Sequence, residues 1–294
     1  MTDGPRRAAF RGQRYAMPEQ GGPRDVRDLL RLLELEELDR DLYRAQNPEQ
    51  PIFPNLYGGQ VAAQAARAAS LSAPDGRYVH SLHGYFLRAG RADRPTILRV
   101  DRDRDGKSFS ARHVNAIQDG EVIMSLLVSL HTERAGVERQ EAAFPGAVPR
   151  PDDVPEQALA GHNTMFDLRP AAESSSDVPG LEHRFWARTR GRMPDDQHLH
   201  ACALVYLSDM GTGFAKSRGA EPAGGPSLDH AIWLHRPTRL DEWVLVDLEP
   251  VTAAGTRAYY TGAVFAADGT LVASISQEHV MRPFPPELRE LIGR

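Results

Sequence analysis

The chain repeats itself at half its length, and that restricts the fold before any motif is read. The segment His80-Ser81-Leu82-His83-Gly84-Tyr85-Phe86-Leu87-Arg88 resembles Ser227-Leu228-Asp229-His230-Ala231-Ile232-Trp233-Leu234-His235. Pairing His83 with His230 sets an offset of 147 residues (83 to 230). Further on, Gln118-Asp119-Gly120-Glu121-Val122 matches Ala267-Asp268-Gly269-Thr270-Leu271, and pairing Gly120 with Gly269 sets an offset of 149 (120 to 269). Two matches at nearly one offset within 294 residues predict a duplicated domain, each copy of ordinary domain size. A seam between two similar but unequal halves is a common place for a site.

Bulk properties remove several function classes. A hydrophobic fraction of 41% and a charged fraction of 26% are those of a globular protein. A net charge of −5 argues against a nucleic-acid surface. Lys107 and Lys216 are the only lysines, so nearly all the positive charge is arginine. Cys202 is the only cysteine, which excludes an intramolecular disulfide and a thiolate metal cage. A cytoplasmic compartment is the default expectation. No apolar run reaches the ~18–20 residues of a membrane span. Met1 to Arg24 is rich in Gly, Pro, Arg and Gln with no apolar stretch, so it is read as neither a secretory signal nor a structured segment. The last residues, Leu291-Ile292-Gly293-Arg294, form no peroxisomal address.

Periodicity then orders the elements. Asp25 to Asp39 has a leucine stripe at helical spacing and acidic residues in its first turn. Leu42 to Ala45 reads as a short strand. Tyr57 to Ala69 is a helix with small residues almost all round and one charge, Arg67, which suits burial inside something that wraps it closely. Strands are predicted at Tyr78 to Leu87, Thr96 to Arg102, Ser108 to Gln118 and Glu121 to His131, with Arg104-Asp105-Gly106 and Asp119-Gly120 as turns. Glu141 to Pro155 is the natural linker, and Pro170 to Gly180 is a further loop. The second half repeats the plan: a strand over Glu182 to Arg190, a helix from about Asp196 to Met210, and strands at Ser227 to His235, Glu242 to Glu249, Ala258 to Ala266 and Leu271 to Met281. Helix followed by antiparallel meander, twice over, is an α+β architecture. Residues 25–140 form the first domain, 141–180 the linker and loop region, and 181–294 the second domain.

Three polar residues in the second half break their local pattern. Asp209 falls three residues after Tyr206, at the edge of the helix's buried face and in its last turn. Desolvation and the negative end of the helix dipole both raise the pKa of a carboxylate there. The plainer alternative is an acid that reaches water. Gln277 lies on the mainly apolar face of its strand, with Leu271, Ala273, Ile275, His279 and Met281. It is either a functional amide or one bonded to backbone. Ser227 heads the repeat strand and offers a hydroxyl, or is simply a turn residue. The eleven histidines show no metal-ligand spacing, so neither a metal nor another cofactor is expected. Cys202 has no base beside it and reads as core.

Laid out this way, the chain resembles the acyl-CoA thioesterase II family, built as a double hotdog. The likeness covers most of residues 26–282. It rests on Phe53 to Gln64 around Tyr57-Gly58-Gly59-Gln60-Val61, on His80 to Arg88, on Gly106-Lys107-Ser108-Phe109-Ser110-Ala111-Arg112, on Tyr206-Leu207-Ser208-Asp209, on Ser227 to Pro237, and on Val272 to Glu278. By that resemblance the family's catalytic Asp, Thr or Ser, and Gln fall on Asp209, Ser227 and Gln277. The best-known members carry threonine where this chain has Ser227, and the hydroxyl is kept.

The resemblance implies hydrolysis of acyl-CoA to free fatty acid and CoA, a step of fatty acid metabolism. One water would be held by Asp209, Ser227 and Gln277 and deprotonated by Asp209. Backbone N–H groups of Gly58 and Gly59, at a helix N-terminus, would receive the oxyanion. Met210, Phe214 and Trp233 would line the acyl slot between helix and sheet. Two other readings stay open: a non-catalytic acyl-CoA binding module, and a hotdog enoyl-thioester hydratase. A homodimer or homotetramer is expected by the same likeness.

Overall fold

The computed structural model describes residues 25–47, 55–156, 165–171, 183–211 and 223–283. The first half runs α1 (Val26–Leu33), β1 (Leu35–Asp39), β2 (Leu42–Ala45), α2 (Gly58–Leu71), β3 (Arg77–Phe86), β4 (Thr96–Asp105), β5 (Phe109–Gln118) and β6 (Glu121–Thr132). The second runs β7 (Phe166–Pro170), β8 (Arg184–Thr189), α3 (Gln197–Ser208), β9 (Ala223–Gly224), β10 (Asp229–Leu234), β11 (Val244–Ala254), β12 (Arg257–Ala266), β13 (Leu271–Val280) and β14 (Arg282–Pro283).

The duplication is visible in strand order. Among the described residues, one antiparallel sheet reads β1-β2-β4-β5-β6-β3-β10-β13-β12-β11-β8-β7, while β9 and β14 form a separate pair. Read outward from its middle, each arm of the large sheet has the same plan. The halves join where β3 pairs with β10, with Ala231 opposite His83 and Ile232 opposite Leu82. The two long helices, α2 and α3, pack against each other within the curve of the sheet. This is the expected α+β double hotdog.

Strand register revises the repeat offset. On β6 the inward side chains are Met124, Leu126, Val128 and Leu130; on β13 they are Ala273, Ile275, Gln277 and His279. Val128 and Gln277 are thus equivalent at the offset of 149 (128 to 277) that the Asp-Gly turns gave. Leu82 lies opposite Val128, and the register Ala231↔Ser276 places His230 opposite Gln277. His230 therefore corresponds to Leu82, an offset of 148 (82 to 230). Pairing His83 with His230 was one residue out, and in a strand one residue reverses the face. His83 points outward while His230 is buried.

Local chemistry explains the other departures. α1 begins with an Asp25 capping box closed by Asp28 but stops at Leu33, not Asp39. Its buried stripe, Val26, Leu29, Leu32 and Leu33, ends there, and Glu34 turns to extended backbone. Leu35–Asp39 then folds back on β2 through Asp41 in the left-handed region. The region read as linker and loop contains β7, which pairs with β8. Residues before it are tied to the second half: Phe144 packs on Trp186 and Phe265, and Gln140 accepts from the Leu271 N–H at 2.7 Å. No helix among the described residues is long and apolar enough to cross a membrane.

α2 is buried on nearly every side, as its small residues predicted. Both of its glutamines donate from the amide nitrogen: Gln64 to Leu32 O at 3.0 Å, and Gln60 to Asn47 Oδ1 at 2.9 Å. Closest approach to α3 falls at the first turn. A Cβ on Gly59 would lie 2.5 Å from the Tyr206 carbonyl oxygen, a backbone atom that cannot swing aside. Gly59→Ala is expected to lower the unfolding free energy by about 1–3 kcal/mol, the usual cost of overpacking. Gly136→Ala, where a Cβ meets nothing, should leave the urea midpoint unchanged. Equal midpoints for both variants would contradict the close contact.

Candidate active site

The site forms where the start of α2 meets the end of α3. Asp209 is the C-cap residue of α3, one position beyond its last helical residue. α2 has no side-chain cap of its own at Tyr57. The Gly59 N–H instead lies close enough to the Asp209 carboxylate to lower its pKa. Gly58 is equally close, since a Cβ there would sit 2.7 Å from Asp209 Oδ2. One carboxylate thus stands at the negative end of its own helix and the positive end of the neighbouring one.

Two elements from far along the chain complete the cluster. Gln277, on the inward face of β13, donates from Nε2 to Asp209 Oδ1 at 2.9 Å and to Ser227 Oγ at 2.6 Å. Ser227 lies just ahead of β10, held by an isolated bridge to His279. Its hydroxyl donates to Asp209 Oδ1 at 3.4 Å. The structure brings together the three residues singled out from sequence, in direct contact.

Burial raises the Asp209 pKa, which the His230 charge, the Gln277 amide, the Gly59 N–H and the Ser227 hydroxyl partly offset. Asp209 as a residue is nevertheless only half-buried. The surroundings are aromatic: Tyr57 donates to Tyr206 O at 3.0 Å, and Tyr260 to Gly211 O at 3.2 Å. Burial and the Asp209 charge both push these tyrosines above their ordinary pKa, so they stay neutral donors. The Phe86 ring lies over Gly58. A carboxylate that can accept a proton, flanked by an amide and a hydroxyl, can orient and deprotonate a small nucleophile.

The remaining expectations divide. Gly58 and Gly59 both sit beside the Asp209 carboxylate. Met210 is buried directly after Asp209. Phe214 lies outside the described residues. Trp233 is corrected: it does not line a slot between helix and sheet. Period two turns Ile232 inward and Trp233 outward, where its ring packs edge-on against His83 at 4.7 Å. Sequence reasoning also passed over His230 and Ser208. His230 is buried, with Nδ1 in short contact with Gln277 Oε1 and Nε2 2.8 Å from Ser208 Oγ. The readable signal was strand parity, since a residue two before the buried Ile232 must face inward. Among the described residues no group of histidine, cysteine and acidic side chains is arranged to hold a metal ion.

Fold and site together define a tandem-hotdog protein with one acid–amide–hydroxyl cluster at its seam. Residues 48–131 match the acyl-CoA thioesterase N-terminal domain and residues 140–281 the acyl-CoA thioesterase C-terminal domain. Human acyl-coenzyme A thioesterase 8 is 32% identical over 90% of this chain and 92% of its own. Acyl-CoA thioesterase 2 of Haemophilus influenzae is 32% identical over 87% of this chain and 98% of its own. The crystal structure of an acyl-CoA thioesterase II from Mycobacterium marinum superposes with a TM-score of 0.74 at 37% identity, covering 88% of this chain and 99% of that one. The chain belongs to the acyl-CoA thioesterase family.

Linkage gives a test of the Asp209 environment that needs no substrate. A carboxyl whose folded pKa is raised loses stability for the protein as pH climbs from the unfolded pKa through the folded one. Wild-type stability should therefore fall across that interval relative to Asp209→Asn, which has nothing to titrate. Parallel stability–pH curves from urea unfolding would show that Asp209 is not held in a desolvated place.

Proposed function

We propose that this protein hydrolyses acyl-CoA thioesters to free fatty acid and CoA, by water that Asp209 deprotonates and Ser227 and Gln277 hold. The observation that carries this reading is the convergence of Ser227 and Gln277 on the Asp209 carboxylate at the seam. The family relationship supports the substrate class. Asp209 takes one proton from the water as its oxygen attacks the thioester carbon. The tetrahedral oxyanion collapses, the C–S bond breaks, and the departing thiolate takes the proton from Asp209. A thioester is already activated, so a positioned base worth about 10²–10⁴-fold carries much of the acceleration.

The oxyanion role falls to the Gly58 and Gly59 N–H groups at the positive end of α2. Met210, directly after Asp209, and the Phe86 ring beside Gly58 supply apolar surface next to the carboxylate. A non-catalytic binding role gains no support from the geometry, because tight binding alone gives no reason to bury an acid at a helix end. We also propose that a second copy covers the outer face of the sheet at the β3–β10 seam, giving the dimer or tetramer. There Tyr85, Leu127 and Trp233 are exposed beside His83.

Three measurements follow. Thiol release from acyl-CoAs of graded chain length should be readily detected and should fall at least 100-fold in Asp209→Asn while the variant stays folded. Wild-type turnover by that variant would remove Asp209 as the base. The rate should rise with pH through an ionisation above the usual carboxylate range, because the raised pKa keeps Asp209 protonated further up the scale. Trp233→Glu should reduce the mass measured by light scattering to that of one chain, and an unchanged mass would exclude this face as the interface.

A further inference from the structure

The geometry points to His230 as a positioning residue that fixes the orientation of the Gln277 amide. This rests on the hydrolytic reading above and names what holds its water-binding group in place. Gln277 directs both Nε2 hydrogens into the site, toward Asp209 Oδ1 at 2.9 Å and Ser227 Oγ at 2.6 Å, and the water of the hydrolytic reading takes over one of these bonds. Its Oε1 can only accept, and its partner is His230 Nδ1. Nδ1 must therefore carry a proton. The far ring nitrogen, Nε2, sits 2.8 Å from the Ser208 hydroxyl, which is itself 2.8 Å from Val205 O inside α3.

The four groups make a closed circuit. It leaves α3 at Ser208, crosses the His230 ring to Gln277, and returns to α3 at Asp209, the very next residue. Gln277, His230 and Ser208 are each 2% exposed or less, so water has little access to replace any link. Glutamine needs such a link, because its terminal torsion is broad and two-fold and only hydrogen bonds at both ends set the amide plane. Turning the amide over would point Oε1 at a carboxylate oxygen and lose both donated bonds. Backbone pairing supplies the precision, since His230 lies opposite Gln277 in the β10–β13 register. The equivalent pair in the first half is Leu82 and Val128, so the ring and the amide occur together and are absent together.

The test compares wild type, His230→Phe, His230→Asn and Gln277→Ala with an acyl-CoA in steady state. Phenylalanine fills the space without a donor, while asparagine places an N–H where Nδ1 stood. His230→Phe should lower kcat by about 10- to 100-fold, the scale of an ångström of misplacement, with KM within about twofold. His230→Asn should recover most of that loss. The double variant His230→Phe/Gln277→Ala should be no slower than Gln277→Ala alone, because His230 acts through the amide. Wild-type kcat in His230→Phe, or losses that multiply in the double variant, would overturn the assignment.

A second readout works without turnover and without any variant having to stay active. In the 15N-histidine-labelled wild type, long-range ring spectra should show His230 with a protonated Nδ1, identified by its loss in His230→Asn. A bare Nδ1 would overturn the proposal. A protonated Nδ1 in a protein that releases no thiol would instead leave the placement standing and count against the hydrolytic reading.

Discussion

Everything at the seam depends on two helix ends being allowed to touch. α2 and α3 run antiparallel, so the first turn of α2 meets the last turn of α3. At the other end Arg67 of α2 lies near His198 and Cys202 of α3. The approach is closer than side chains permit, and Gly58 and Gly59 make it possible. An acid at the C-cap of α3 alone would face only the negative end of a dipole. Brought against the start of α2, the same carboxylate gains the Gly59 N–H and a compensating positive end. The balance leaves Asp209 with a raised pKa, but chargeable.

The duplication explains why, among the described residues, one such place exists and not two. A double hotdog has two symmetry-related corners, each with a helix C-cap near an inward-facing strand pair. In one corner stand Asp209, His230 and Gln277; in the other stand Ser72, Leu82 and Val128. There the Arg112 guanidinium, wholly buried and paired with Asp105 at 2.7 Å, donates to the Ser72 hydroxyl at 2.9 Å. That corner carries a satisfied structural network with no carboxylate at the helix end. One copy of the fold carries this buried arginine network, and the other carries the acid, amide and hydroxyl.

Much of this was legible because it rests on local chemistry. Asp-Gly turns with left-handed glycines at Gly120 and Gly269 fixed the hairpins, and the alanine-rich pattern of α2 fixed its burial. Asp209 and Gln277 stood out because each set a polar group in an apolar pattern. What stayed hidden depended on pairing between distant segments. Leucines past Leu33 looked like more helix until β2 offered an edge to pair with. Trp233 looked like lining because size and apolarity do not reveal which face of a strand a residue takes. The His230 ring was read as a repeat marker, and only strand register, out by one residue in the sequence comparison, shows that it meets Gln277. The meeting of Gly58 with the Asp209 carboxylate needed the helix crossing itself.

The central claim is that Asp209 acts on water and never bonds to the acyl group. Single turnover in H₂¹⁸O, with enzyme in excess over acyl-CoA, separates these directly. If Asp209 is a base, the first turnover places one ¹⁸O in the released fatty acid and none in the peptide containing Asp209. If label appears in the Asp209 carboxylate and the first-turnover acid is unlabelled, the carboxylate attacked the thioester itself and the account is wrong.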